Sequence, residues 1–178
     1  MPATTSISRS PNGDHELRLQ GQFDHPHWVA FLFSGLSRLE IAVISGKATR
    51  DRDRNWNARF TLDFRGSQAV PERVDYLQLA QQETTSAFAP PLLSEFAITR
   101  RSDQALEVIL QGPDQIGFLG RILLKLSLLT LFPIEMEINT VSGRIHDRIV
   151  FCGIGGLPPG TSVDASLEAM LRGLVRTA

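Results

Sequence analysis

The chain has 178 residues, 42% apolar and 21% charged, with a formal net charge of −1. That balance fits a globular protein with a packed core, one ordinary domain or two small ones, and gives no basic excess for nucleic acid or an anionic membrane. The single cysteine excludes an internal disulfide, the first ten residues lack the apolar core of a secretory signal, and no apolar run reaches membrane-spanning length; the expectation is a soluble cytoplasmic protein.

Residues 3–9 read as a short strand, Pro11-Asn12-Gly13-Asp14 as a turn, and residues 15–22 as a second strand with Leu17 and Leu19 on one face. Asp24-His25-Pro26 then resembles a helix start, with Asp24 able to accept free backbone N–H groups. Val29, Leu32, Phe33, Leu36 and Leu39 follow at helical spacing. Residues 40–49 and 56–64 are expected as strands around a polar hairpin, and Trp56, Ala58, Phe60, Leu62 and Phe64 keep a period of two. Residues 71–82 read as a helix, and Pro90-Pro91 as a linker. Beyond it come strands at 96–101 and 105–112 and the turn Gly112-Pro113-Asp114-Gln115. A helix led by Ile116-Gly117-Phe118-Leu119, two further strands around a hairpin, and a last helix containing Leu167 and Leu171 complete the order.

An offset of ninety maps the first helix onto the second half. Val29, Leu32, Phe33, Leu36 and Leu39 become Leu119, Ile122, Leu123, Leu126 and Leu129, all apolar, while Asp24 becomes Asp114. At the same offset Phe60 and Leu62 become Val150 and Cys152, and Leu77 becomes Leu167. Such an array marks a tandem duplication, with modules at 1–88 and 89–178. Each reads strand, strand, helix, strand, strand, helix. The fold class is therefore α+β: two tandem ferredoxin-like modules with antiparallel sheets, their helices on one face. Each is either a βαββαβ unit with its last strand moved to the front, or one that exchanges that strand with its neighbour. The sequence supports both. The expected cores are Leu119, Ile122, Leu123, Leu126, Leu129, Val150, Leu167 and Leu171 in one half and Leu32, Phe33, Leu36, Phe60 and Leu77 in the other.

The second half resembles an ACT domain, the small ligand-binding regulatory module of amino-acid metabolism. The resemblance rests on Gly112-Pro113-Asp114-Gln115-Ile116-Gly117-Phe118-Leu119, which is similar to that family's Asp-Arg-Pro-Gly-Leu-Leu turn, and on the strand order that follows. It extends to the first half through the repeat, and the arrangement is similar to stand-alone tandem proteins of the glycine-cleavage repressor type. It implies a non-enzymatic regulator that binds a small molecule, an amino acid foremost, and that forms a homodimer and acts on a partner protein. No cofactor or metal is implied. The implied ligand site is Gly112, Asp114, Gln115, Ile116, Gly117, Phe118 and Leu119, with Phe132 where the family often has Asn. Asp24, His27 and Trp28 are the first-half equivalents, but His27 stands where Gly117 stands in the second half. A glycine there leaves helix-start N–H groups open to close approach, and those groups suit a carboxylate.

Other patterns favour plain readings. Asp24, His25 and His27 could begin a metal site but lack further ligands at a supporting spacing. The runs 50–54 and 144–148, including Asp147, read as solvated hairpin tips. Cys152 lies in an alternating strand and reads as a buried apolar residue. Gly153-Ile154-Gly155-Gly156 lacks the Lys-Ser/Thr of a phosphate loop. A ligand-free dimerisation module and an enzyme on a ferredoxin-like scaffold remain the alternative readings.

Overall fold

Period-two alternation produces eight strands and 3.6-residue spacing produces four helices in the computed structural model, which describes residues 1–83 and 90–175. The first half contains β1 (Thr4–Arg9), β2 (His15–Gly21), α1 (Trp28–Arg38), β3 (Ala42–Arg50), β4 (Trp56–Asp63) and α2 (Tyr76–Gln81). The second contains β5 (Glu95–Arg100), β6 (Leu106–Pro113), α3 (Phe118–Ser127), β7 (Phe132–Val141), β8 (Arg144–Cys152) and α4 (Ser162–Arg172). The expected boundary at 88–89 touches residues 84–89, outside the described residues. No helix among the described residues is long and apolar enough to cross a membrane.

All strands join one antiparallel sheet in the order β1-β2-β4-β3-β7-β8-β6-β5. Within each half this is the ferredoxin-like order with the last strand moved to the front: β1 pairs with β2, and β5 with β6. The strands are not exchanged between halves. The halves meet where β3 pairs with β7, and there Lys47 faces Glu137. These two positions differ by ninety, so a pseudo-twofold axis passes between them. Their side chains form an ion pair at 3.4 Å.

The helices cover one face of the sheet. Leu17, Leu19, Phe60, Leu62, Val108, Leu110, Met136, Ile149 and Phe151 point into a single core with Val29, Leu32, Leu36, Ile122, Leu123, Leu126, Leu167 and Leu171. The other face is polar, as an open antiparallel sheet allows. Arg59 and Arg18 pair there with Glu16, and Arg148 bridges Glu107 and Glu135 at 2.6 and 2.7 Å.

The repeat is imperfect in instructive places. Phe60 pairs with Leu17 and Gly46, whereas Ile149 pairs with Val108 and Met136. Phe60 and Leu62 therefore correspond to Ile149 and Phe151, not to Val150 and Cys152. The β7–β8 hairpin is one residue shorter, and a one-residue slip turns every side chain to the other face. Val150 is buried but lies outside the main core cluster. Irregularities in register recur at Ile44 and Ile134, ninety apart, so a bulge was duplicated with its strand.

Three further expectations shift. His27, not Asp24, is the N-cap of α1, and no side chain caps it. The expected helix at 71–82 divides into a 3₁₀ turn at Pro71–Arg73 and α2, because Asp75 starts a new helix by accepting the Gln78 N–H at 2.9 Å. That restart directs Tyr76 and Ala80 inward and leaves Leu77 half-exposed.

The helices α1 and α3 cross beside the same axis. A Cβ on Gly120 would lie 2.8 Å from the Ser34 backbone nitrogen and 3.2 Å from the Ala30 carbonyl oxygen. Ala30 and Gly120 are again ninety apart. Gly120→Ala must push these helices apart and is expected to cost about 1–3 kcal/mol, measured by urea denaturation. An unchanged midpoint would mean that the helices separate freely.

Candidate functional site

The turn between β6 and α3 opens onto a cavity of about 50 Å³ at the seam between the halves. The second half supplies Asp114 through Gly120 from the turn, with Ile138, Thr140, Ile145 and Asp147 from β7 and β8. The first half supplies Phe33 and Ser37 from α1 and Ile41–Val43 at the start of β3.

Gly117 makes the turn possible. It is the N-cap of α3 at φ 75°, in the left-handed region that a side chain disfavours. Phe118 N–H is used by Gln115 O at 2.9 Å, and Arg121 N–H by Gly117 O at 3.2 Å. Between them, Leu119 and Gly120 N–H find no backbone acceptor among the described residues. These are the free donors of a helix start.

Of the residues expected at the site, Asp114, Gln115, Ile116, Gly117, Phe118 and Leu119 line this cavity. Gln115, however, is committed elsewhere: its side chain accepts from Leu92 N–H at 3.1 Å and donates to Leu92 O at 3.0 Å. It fastens the segment ahead of β5 to the turn. Gly112 serves the same crossing, since a Cβ there would lie 2.8 Å from Leu92 O. Gly21 does so in the first half, where a Cβ would collide with Pro2 O.

Phe132 lies elsewhere. The ten residues of α3 carry the chain about 15 Å from the turn before β7 begins. The cavity is closed instead by Ala42, ninety residues earlier, from the other half. Phe132 closes the pseudo-symmetric cavity of about 370 Å³, whose lining includes Asp24, Arg50, Trp56 and Pro133. There Trp28 is buried, stacks on Phe23 at 3.9 Å and meets Trp56 edge-on at 5.2 Å. The His27 ring lies 5.2 Å from Phe132, and burial lowers its pKa, opposed by Glu83 and aided by His25. Aromatic rings thus occupy the first-half turn, with no counterpart of Gly117.

Asp147 was legible only as part of a charged hairpin tip, and the structure corrects this. It is 1% exposed, on the inner face between Ile145 and Ile149, and forms the floor of the cavity. Its one hydrogen bond among the described residues comes from Asn139 N–H, at 3.2 Å to Oδ1. The β7–β8 pairing lapses at that level and resumes in the same register. Period two would have found it, since Ile145, Asp147, Ile149 and Phe151 share a face. Its first-half counterpart by strand register is Ala58.

Burial pushes the Asp147 carboxyl up to about 7; the Asn139 N–H opposes this and the Asp114 charge adds to it. Asp114, at the rim, is also raised by partial burial, offset by the Gln115 backbone N–H. The two carboxyls resist being ionised together.

No family model matches the chain, and no curated protein sequence matches it. Among solved structures, aspartate kinase from Synechocystis is similar over 90% of this chain, with a TM-score of 0.49 and 11% identity. The chain corresponds to 27% of the length of that protein.

A carboxyl with a raised native pKa holds its proton more tightly folded than unfolded. Stability from Asp147 is therefore full below the unfolded value near 3.8 and is lost as pH rises through about 7. Asp147→Asn removes the ionisation while keeping the shape. At pH 8 it should raise the thermal midpoint by about 4 °C or more, and by pH 5 the difference should shrink. Equal shifts at both pH values would show that Asp147 is not the group responsible.

Proposed function

We propose that the chain is a non-catalytic regulatory protein that binds a small metabolite, an amino acid foremost, in the cavity at the Asp114–Leu119 turn. The observation that carries this reading is a cavity walled by both halves and fed by unused N–H donors at the start of a ten-residue helix. Such donors, with the positive end of the helix dipole, suit a carboxylate. The turn sequence is also the one that resembles an ACT domain.

The position explains how binding becomes a signal. A ligand there touches α1 and β3 on one side and α3 and β8 on the other, so its affinity depends on how the halves pack. Binding favours one packing, and a partner protein that reads the helical layer senses the change. A homodimer in the cytoplasm is the form in which this regulation is proposed to act.

A ligand-free interaction module is the second reading. The ring-filled first-half turn favours it for that half, and β1 and β5, at the two ends of the sheet, are available edges. Light scattering over a range of concentrations tests self-association; a monomer throughout would sink the dimer.

A thermal-shift screen with the common amino acids tests the leading reading. At least one should raise the midpoint, by an amount that grows with concentration as linkage requires. Gly117→Val, strained at φ 75°, should remove the response. Indifference to every amino acid would overturn metabolite sensing.

A further inference from the structure

We propose that the cavity at the seam recognises its ligand through a protonated amine, held by the buried Asp147 carboxylate with Asp114 at the rim, so that it distinguishes amino acids from their keto- and hydroxy-acid counterparts. This rests on the metabolite-binding reading and names the chemical class that the site selects.

A carboxylate is costly to bury, and Asp147 is 1% exposed with one hydrogen bond among the described residues. Packing does not require it, because the first half builds the same strand position with Ala58 and buries that to 1%. Oδ1 is engaged by Asn139 N–H, and the carboxyl lines the cavity together with Asp114, whose charge acts on it. On the other elements around it, α1 brings Ser37, β7 brings Thr140 and β6 pairs Leu110 with it, none titratable near neutrality. No cation lines the cavity among the described residues. A small space lined by two carboxyls and by a helix start with unused N–H donors is complementary to a group carrying both charges. A ligand ending in a carboxylate alone would satisfy the helix start but leave Asp147 either protonated or repelled.

Exchange follows from the same geometry. The unliganded site holds a proton on the carboxyl pair, and an incoming ammonium replaces it, leaving Asp147 ionised beside the ligand nitrogen. The proton goes to solvent. Because burial raises Asp147 to about 7, affinity for an amine should fall as pH drops below that value.

Three probes, the smallest that carry both charges or either one, separate the possibilities: glycine, methylammonium and acetate, each titrated into the 178-residue chain with ¹³C-labelled aspartate carboxyls. Glycine and methylammonium should move the Asp147 resonance toward the ionised form at pH 6.5, roughly within a unit of where that carboxyl titrates, while acetate should not. Asp147→Asn should weaken glycine binding by about tenfold or more, and Asp147→Ala, which copies the first half, should do the same. Both variants remove a buried charge and should fold. If amino acids stabilise the protein but acetate perturbs the site as glycine does, or both variants bind glycine normally, amine selection is wrong and metabolite sensing stands. If no amino acid stabilises the protein and no probe moves the resonance, both fall together.

Discussion

The pairing of β3 with β7 is the constraint on which the rest of the molecule depends. Each half alone would leave one inner strand edge with unpaired backbone groups and one side of its first helix uncovered. Joining the edges satisfies the backbone and makes one eight-stranded sheet. It also sets α1 against α3 at the small residues Ala30, Ser34 and Gly120, where a single added methyl would collide with backbone. The cavity exists only because of this join. Its turn comes from one half and its opposite wall from the other, so no single half contains a complete site.

Much of this was legible in the chain because helices and strands reveal themselves differently. The α1 and α3 faces repeat at ninety without interruption, and a helix with an insertion would lose its apolar face, so the offset was preserved. Hairpins tolerate length change. One residue fewer between β7 and β8 left the alternation of each strand intact while displacing one against the other. Phe60 then corresponds to Ile149, and nothing in the local pattern of either strand records the slip. The Asp114–Leu119 turn was readable from residue type alone, since the glycine and the apolar helix after it have a local cause. Phe132 was misplaced because nearness in sequence does not survive a ten-residue helix. Its role at the cavity belongs to Ala42, a residue that no local reasoning would connect with the turn.

Asp147 was missed for a different reason. It stands between His146 and Arg148, and a run of charges at a hairpin reads as solvated. Charge and alternation made opposite statements there, and alternation was right: Arg148 faces outward to Glu107 and Glu135 while Asp147 faces the core. A conflict between a residue's chemistry and the face its register assigns is where a functional group is to be sought. Gln115 gives the converse case. Its position in the turn suited a ligand contact, but its amide holds Leu92 through two backbone bonds and serves the fold.

Covalent duplication explains why such asymmetry is possible. In a dimer of identical modules, a residue on the axis faces its own copy, so a lysine would meet a lysine and a glycine a glycine. Joining the modules in one chain lifts that restriction. Lys47 meets Glu137 in an exposed pair worth less than about 1 kcal/mol. Ala30 meets Gly120, where the missing methyl lets the helices close. The same freedom reaches the two cavities, which identical modules would have to keep alike. One turn kept the left-handed glycine and gained a buried acid, while the other took His27, Trp28 and a floor of Ala58. Burying Asp147 destabilises the protein at neutral pH, and a second buried acid would add to that burden. Keeping one such site, with an apolar floor at Ala58 in its twin, confines the cost to the place where the two halves can convert ligand contact into a change of packing.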